Sequence, residues 1–467
     1  MGVHPGIRGR AERPRLTADP GPVPVHSLVL TEVPMLHRLL GFALLTALAA
    51  PAAAQELGAW DDRIQEAVSR FEEETVAFRE HIHEFPELGN REFETARMVA
   101  EHLRELGFDD VREKVAHTGV VGVLKGGKPG AVVAVRADMD ALPVTEDTDL
   151  PFASTARTVY NGQEVGVMHA CGHDIHTAVQ YGVASVLAGM RDDIPGTVLF
   201  IFQPAEEGPP PGEEGGAELM LEEGAFDDPR PQAVFGLHAL SGLPLGVIGY
   251  TPGPALAAVD HFKATITGVQ THGAQPQAGV DPVVMASQAI LSLQTIASRN
   301  VHPLQPVVVT VGMVHGGQRF NIIPESVEIE GTVRSYDPEV RDLVEARMNE
   351  VLGGITTSGG GSYSLTYDRG YPATINDREL TAEMIGTVRE IVGAGNTQEL
   401  DPTMGGEDFS FFANEVPGFY YRLGVHREGT RTGPHHSPFF RADSASVAIG
   451  MRVMSNLLVD YLLRNAG

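Results

Sequence analysis

One cysteine in 467 residues decides how this chain must hold itself together. A lone thiol forms no intramolecular disulfide, so a packed core has to carry the fold. Cys171 sits in His169-Ala170-Cys171-Gly172-His173-Asp174. A thiolate and an imidazole two residues apart reach one metal ion from a single turn of backbone, and Gly172 permits the bend. The competing reading is a buried structural cysteine beside a satisfied histidine. The next stretch, 175–190, has helical apolar spacing, so the motif lies in a loop that opens a helix.

Length predicts two or three domains at roughly 100 to 200 residues each. The formal charge of −27 argues against nucleic acid and against an anionic membrane surface as partners. Residues 1–34 are rich in Pro, Gly and Arg and read as a disordered or non-native extension. Residues 35–54 read as a signal peptide: His37 and Arg38, an apolar run over 39–50, then Ala52-Ala53-Ala54. The run is short for a bilayer span, although an N-terminal anchor remains the alternative. Export, to a periplasm, with a true start at Met35, is expected.

Over 55–254 apolar strands end in chemically capable groups, as open α/β sheets require. The strand 131–135 leads to Asp138 and Asp140, which are placed to orient a ligand or bind metal. The strand 197–202 leads to Glu206 and Glu207; on a metal, one carboxylate binds and the other takes a proton from water. As plain parts of the Pro/Gly/Glu loop 209–216 they would instead be solvated and inert. The strand 232–236 ends before His238. Residues 255–374 change pattern: strands at 262–267, 307–313, 326–333 and 362–367 alternate with helices at 282–298 and 338–352. That β-α-β-β-α-β order is a ferredoxin-like insertion. Within it His272 and Asn321 are candidate hydrogen-bond donors to a substrate oxygen, and Arg299 and Arg334 candidate carboxylate receptors. For each arginine a surface ion pair is the competing reading. Residues 375–467 return to the first theme, with Glu407-Asp408 after a glycine loop and His436 as a possible last ligand.

These stretches together resemble the metallopeptidase family of aminoacylase and carboxypeptidase G, in the branch of hippurate hydrolases, N-acyl-amino-acid deacetylases and indoleacetyl-amino-acid hydrolases. The resemblance rests on His83-Glu84-Phe85-Pro86-Glu87-Leu88, Arg136-Ala137-Asp138-Met139-Asp140, the Cys171 motif and Gln203-Pro204-Ala205-Glu206-Glu207-Gly208. It continues through Gly236-Leu237-His238, Asn321-Ile322-Ile323-Pro324, Gly331-Thr332-Val333-Arg334 and His436-Ser437-Pro438. It implies a zinc-peptidase-like mixed-sheet α/β catalytic domain (55–254 and 375–467) carrying an α+β dimerisation and lid domain (255–374). It implies two divalent metal ions, zinc or manganese, on Cys171, His173, Glu207, His238 and His436, with Glu206 as general base. His272 matches a lid histidine that in relatives reaches the partner's active site, which implies a homodimer. Asp138 is expected to orient a metal-site group, and Asn321 and Arg334 to hold substrate. Arg136 stands where related branches have a histidine ligand. Gln277 replaces a second lid histidine, and the loop 209–216 looks longer than the family's. The implied activity is hydrolysis of N-acyl-amino acids to a carboxylic acid and an amino acid; a dipeptidase or carboxypeptidase is the alternative. A third reading, an exported binding protein that captures metal or small acids without catalysis, leaves Glu206 unexplained.

Overall fold

The computed structural model describes residues 39–466, with side chains from Leu57 onward. The extension 1–34 and the start of the signal segment lie outside the described residues. The first helix runs Leu39–Glu84 and stops where Phe85-Pro86 forbids another turn. The folded unit treated below begins at Gln55.

Eight strands form one mixed sheet. Their spatial order is Asp110–Val115, Gly119–Lys125, Pro195–Gln203, Lys128–Asp138, Ala233–Pro244, Gly418–His426, Ile248–Tyr250 and Thr397–Glu399. The four strands from Pro195–Gln203 to Gly418–His426 run parallel. Parallel strands are covered on both faces, and the sequence obeys that constraint. Val133, Val135, Val198, Phe200 and Phe202 join one core cluster; Ala134, Leu199 and Ile201 join the other. Alternate residues thus fill opposite layers, as the strand period of two dictates. The first layer holds helices His173–Ala188 and Ala445–Arg464, and the second the short helices Gly216–Glu222 and Phe409–Glu415. With the strands parallel, their carboxyl ends open on one rim, and the candidate groups gather there.

A second sheet has the order Val307–Gly316, Ser326–Ser335, Ala258–Thr267, Ser362–Arg369, every neighbour antiparallel. Phe262, Ala264 and Ile266 turn inward onto helices Pro282–Thr295 and Pro338–Gly359, giving this module its own apolar cluster. Both helices begin Asp-Pro. Asp281 and Asp337 cap them by accepting backbone N–H bonds, and proline fills the first helical position where no N–H is needed.

The second of these helices runs past the expected end at Leu352, through Gly353 and Gly354, to Gly359. Val340, Val344, Met348, Leu352 and Thr356 form one buried stripe across that boundary. Burying it outweighs about 1 kcal/mol for each interior glycine. The strand expected to close at Gly236 also continues, to Pro244. Gly236 is there for space: a Cβ would stand 2.8 Å from the Tyr420 ring.

Candidate metal centre

Cys171 and His173 flank the turn that starts helix His173–Ala188. Gly172, at φ 100°, is its N-cap; a Cβ on it would sit 2.9 Å from the Ala239 methyl. The turn therefore packs directly on the strand that carries His238. Cys171 Sγ lies 3.5 Å from His238 Nε2. Glu206 and Glu207 do not extend the preceding strand, so the alternation expected of adjacent strand residues does not apply. They occupy a turn after Gln203, with Ala205 at φ 53°, and both reach the same place. His173 Nε2 stands 3.8 Å from Glu206 and 4.0 Å from Glu207. His436 Nε2 is 2.9 Å from Glu207. Cys171, His173, His238, Glu206, Glu207 and His436 fall into overlapping groups of three able to hold a metal ion.

The far sides of the rings fix which nitrogen faces inward. His173 Nδ1 donates to Asp140, 2.9 Å from its carbonyl and 3.1 Å from its carboxylate. His238 Nδ1 donates to the Ala239 carbonyl at 2.7 Å. In each ring the Nε2 lone pair is left for the centre, the outer support typical of metal-binding imidazoles. His173 Nε2 is buried with no hydrogen-bond partner. A buried polar atom left bare is costly, and a cation would satisfy it.

Electrostatics point the same way. Burial, then Glu207 and Glu206, push the Cys171 thiol well above its usual pKa. Burial, then Glu407, Glu207, Asp408 and Asp138, do the same to Glu206. Burial opposes protonation of His173, but Asp138 and Asp140 outweigh it and raise its pKa to about 10. The pocket is thus short of positive charge, and a soft sulfur, three imidazoles and a carboxylate suit divalent cations of the zinc type.

Asp138 makes no contact with the centre's open side. It is fully buried; one oxygen receives Arg136 at 2.6 Å and the other His176 Nδ1 at 2.6 Å. His176 Nε2 in turn accepts the Ala239 N–H at 2.7 Å, so that ring is saturated and is no ligand. Asp138 therefore positions His176, against the edge of His238 at 4.8 Å between ring centroids, and is not a catalytic group. Arg136 is fully buried and holds Asp138, Glu407 and Asp408, with its Nε on Gln203. It underpins the centre where another branch would place a ligand.

A cavity of about 560 Å³ opens from the centre and is lined by Arg334, Arg422, Tyr371 and His435 as well as Cys171, Glu206, Glu207, His238 and His436. Tyr371 donates to the Glu206 carbonyl at 2.7 Å and steadies that turn. His272, Asn321 and Arg299 do not line it. His272 pairs with Ile322 across a two-stranded ladder, and Gly273 N–H bonds the Asn321 carbonyl at 2.8 Å, so His272 and Asn321 meet each other in the module. Arg299 spends its guanidinium on the neighbouring Ser298 carbonyl. Of the lid candidates only Arg334 reaches the cavity. His176, His435 and Tyr371 escaped the sequence reading; His176 alone had a signal, three residues after His173 on one helix face.

A doubly layered α/β sheet with acids, imidazoles and a thiol on its carboxyl rim defines a metal-dependent hydrolase architecture. The model of peptidase family M20/M25/M40 matches residues 134–460, and the chain belongs to that family. It is 38% identical to N-acetyl-L-cysteine deacetylase of Bacillus subtilis, over 81% of this chain and 86% of that one. It is 37% identical to thermostable carboxypeptidase 1 of Saccharolobus solfataricus, over 86% and 98%. Among solved structures it is similar to a dinuclear metal binding peptidase of the M20 family from Bacillus subtilis. That match has a TM-score of 0.72 and 33% identity and covers 85% of this chain and 99% of that one.

Proposed function

We propose that this chain is a metal-dependent amidohydrolase that splits N-acyl-amino acids into a carboxylic acid and an amino acid. The observation that carries this is the convergence of Cys171, His173, Glu207, His238 and His436 beside a sixth group, Glu206, at the wall of a cavity that all but His173 line and that also holds Arg334. Five donors would suffice to bind metal; the additional buried carboxylate is what hydrolysis needs. Two divalent cations bound there would polarise the amide carbonyl and acidify water. Glu206 takes the proton as water attacks the carbonyl carbon. It returns that proton to nitrogen as the C–N bond breaks, leaving a carboxylate and a free amine. Tyr371 keeps the Glu206 turn fixed, and Arg334 and Arg422 offer positive charge to the amino acid carboxylate. A hydrolysis panel of N-acyl-amino acids and dipeptides, with Zn²⁺, Mn²⁺ and Co²⁺, tests the reading. Faster turnover of dipeptides would favour the carboxypeptidase alternative, which the similarity to a carboxypeptidase keeps in play.

Two further parts of the reading concern assembly and location. A second copy of the chain covers the lid module. The edge strand Val307–Gly316 exposes Met313 and Val314, helix Pro282–Thr295 exposes Leu291 at 72%, and Phe320 is 97% exposed. Apolar groups beside an unpaired strand edge support a partner there. His272 and Asn321 belong to the same module and would serve the neighbouring copy's cavity. Export rests on the apolar run and the small residues before Gln55. Sequencing the amino terminus of secreted protein checks it; a mature chain that keeps residues 39–50 rules it out.

A further inference from the structure

Glu207 lines two cavities. One is the cavity of Arg334 and Arg422. The other, of about 370 Å³, lies toward Asp140, beyond Glu207. Its walls are Leu88, Leu142, Pro143, Val159, Pro210 and Pro211. Besides Glu207, two charged groups in its lining, Asp140 and Arg91, are already engaged. Asp140 receives His173 on one oxygen and the Glu207 N–H on the other, at 3.0 Å. Arg91, the one cation in this lining, is paired with Glu213.

Two irregular segments build this space. The first is the loop 209–216. It is tied down: Asn90 donates to the Glu214 carbonyl at 3.0 Å and Arg91 to Glu213 at 3.0 Å. Gly215 lets it lie close, since a Cβ would meet the Asn90 side chain at 2.8 Å. The loop thereby sets Pro210 and Pro211 as a rigid wall. Opposite stands an isolated hairpin, Arg157–Tyr160 with Gln163–Gly166. Its turn is Asn161-Gly162, both at positive φ, the geometry that a tight two-residue hairpin demands. Val159 on it is 70% exposed. A large apolar side chain left in solvent beside an apolar cavity has no packing role within the chain, and it suits a ligand.

We infer that this second cavity receives the acyl side of the substrate, and that the preferred acyl group is bulky and apolar, an aromatic acyl rather than acetyl. This rests on the amidohydrolase reading above and deepens it. The side is set by charge. The amino acid carboxylate belongs with Arg334 and Arg422, so the acyl group lies across the reacting carbonyl, past Glu207. The size is set by volume. About 370 Å³ is at the lower end of small-ligand pockets, right for a ring and far too large for a methyl group. Tyr160 adds an aromatic face to the lining.

The test compares kcat/KM for the N-benzoyl and N-acetyl derivatives of the same amino acid with metal-loaded full-length enzyme. The benzoyl derivative is expected to lead by at least about tenfold. Val159→Arg and, separately, Pro211→Arg are expected to lower the benzoyl-to-acetyl ratio by at least about fivefold. Both positions are exposed, so each variant should fold. Leu400→Arg, in the Arg334 cavity, should leave that ratio in place while altering preference for the amino acid. Acetyl preferred in the wild type, or a ratio indifferent to both cavity variants, overturns the acyl assignment alone. A ratio that moves only with Leu400→Arg shows the two sides to be reversed and overturns it too. Failure to cleave any N-acyl-amino acid, with dipeptides cleaved, brings down the amidohydrolase reading itself.

Discussion

The carboxyl rim of the large sheet and the lid module are organised on opposite terms. At the rim three groups are braced from behind. His173 leans on Asp140, His238 on its neighbour's carbonyl, and Asp138 on Arg136. In the module, His272 sits on a two-stranded ladder with Asn321 beside it, and neither lines this chain's cavity. One region is finished within a single chain. The other leaves Leu291, Met313 and Phe320 exposed on its surface.

Substitutions sharpen that contrast, beginning with the largest effect. Glu206→Gln should lower kcat by about 10²- to 10⁴-fold, the usual worth of a general base, with metal content unchanged by elemental analysis. Near-normal turnover would end the base assignment. Chelation should abolish activity and added Zn²⁺, Mn²⁺ or Co²⁺ restore it; activity that survives exhaustive chelation contradicts a metal centre. Arg136→Met leaves Asp138, Glu407 and Asp408 buried without their counter-charge. A loss of about 3–5 kcal/mol in unfolding free energy is expected, and a variant as stable as wild type in urea would refute the bracing. Asp140→Asn should weaken metal affinity about 10- to 100-fold through His173, measurable by competition with a chromogenic chelator. His272→Ala should leave metal affinity and stability untouched yet slow turnover. Mixing it with Glu206→Gln should recover part of the activity if each copy completes the other. No recovery from an assembled mixture would place His272 in its own chain's cycle.

The resemblance to the family supplied the candidate ligand set, and the placing of several of those residues after strands agreed with it. Cys171, His173, Glu207, His238 and His436 do meet, although His238 lies within its strand and Glu206 and Glu207 in a turn. What could not be read was contact across distant segments. His176 matters because its ring bridges Asp138 and the Ala239 backbone, a relation that no local spacing encodes. Tyr371, two residues past the module's last strand and far from Glu206 in sequence, fixes the Glu206 turn. The helix that overran its glycines shows burial beating propensity, and His272 lies outside the cavity of its own chain because its segment pairs with residues 322–323 instead.

The bend at Gly172 reaches further than the two ligands it separates. Because it rests against the methyl of Ala239, the short motif is not portable on its own. Anyone grafting Cys-Gly-His onto another scaffold would have to import a small side chain on the opposing strand as well. Enlarging position 239 here should be as damaging as deleting the sulfur.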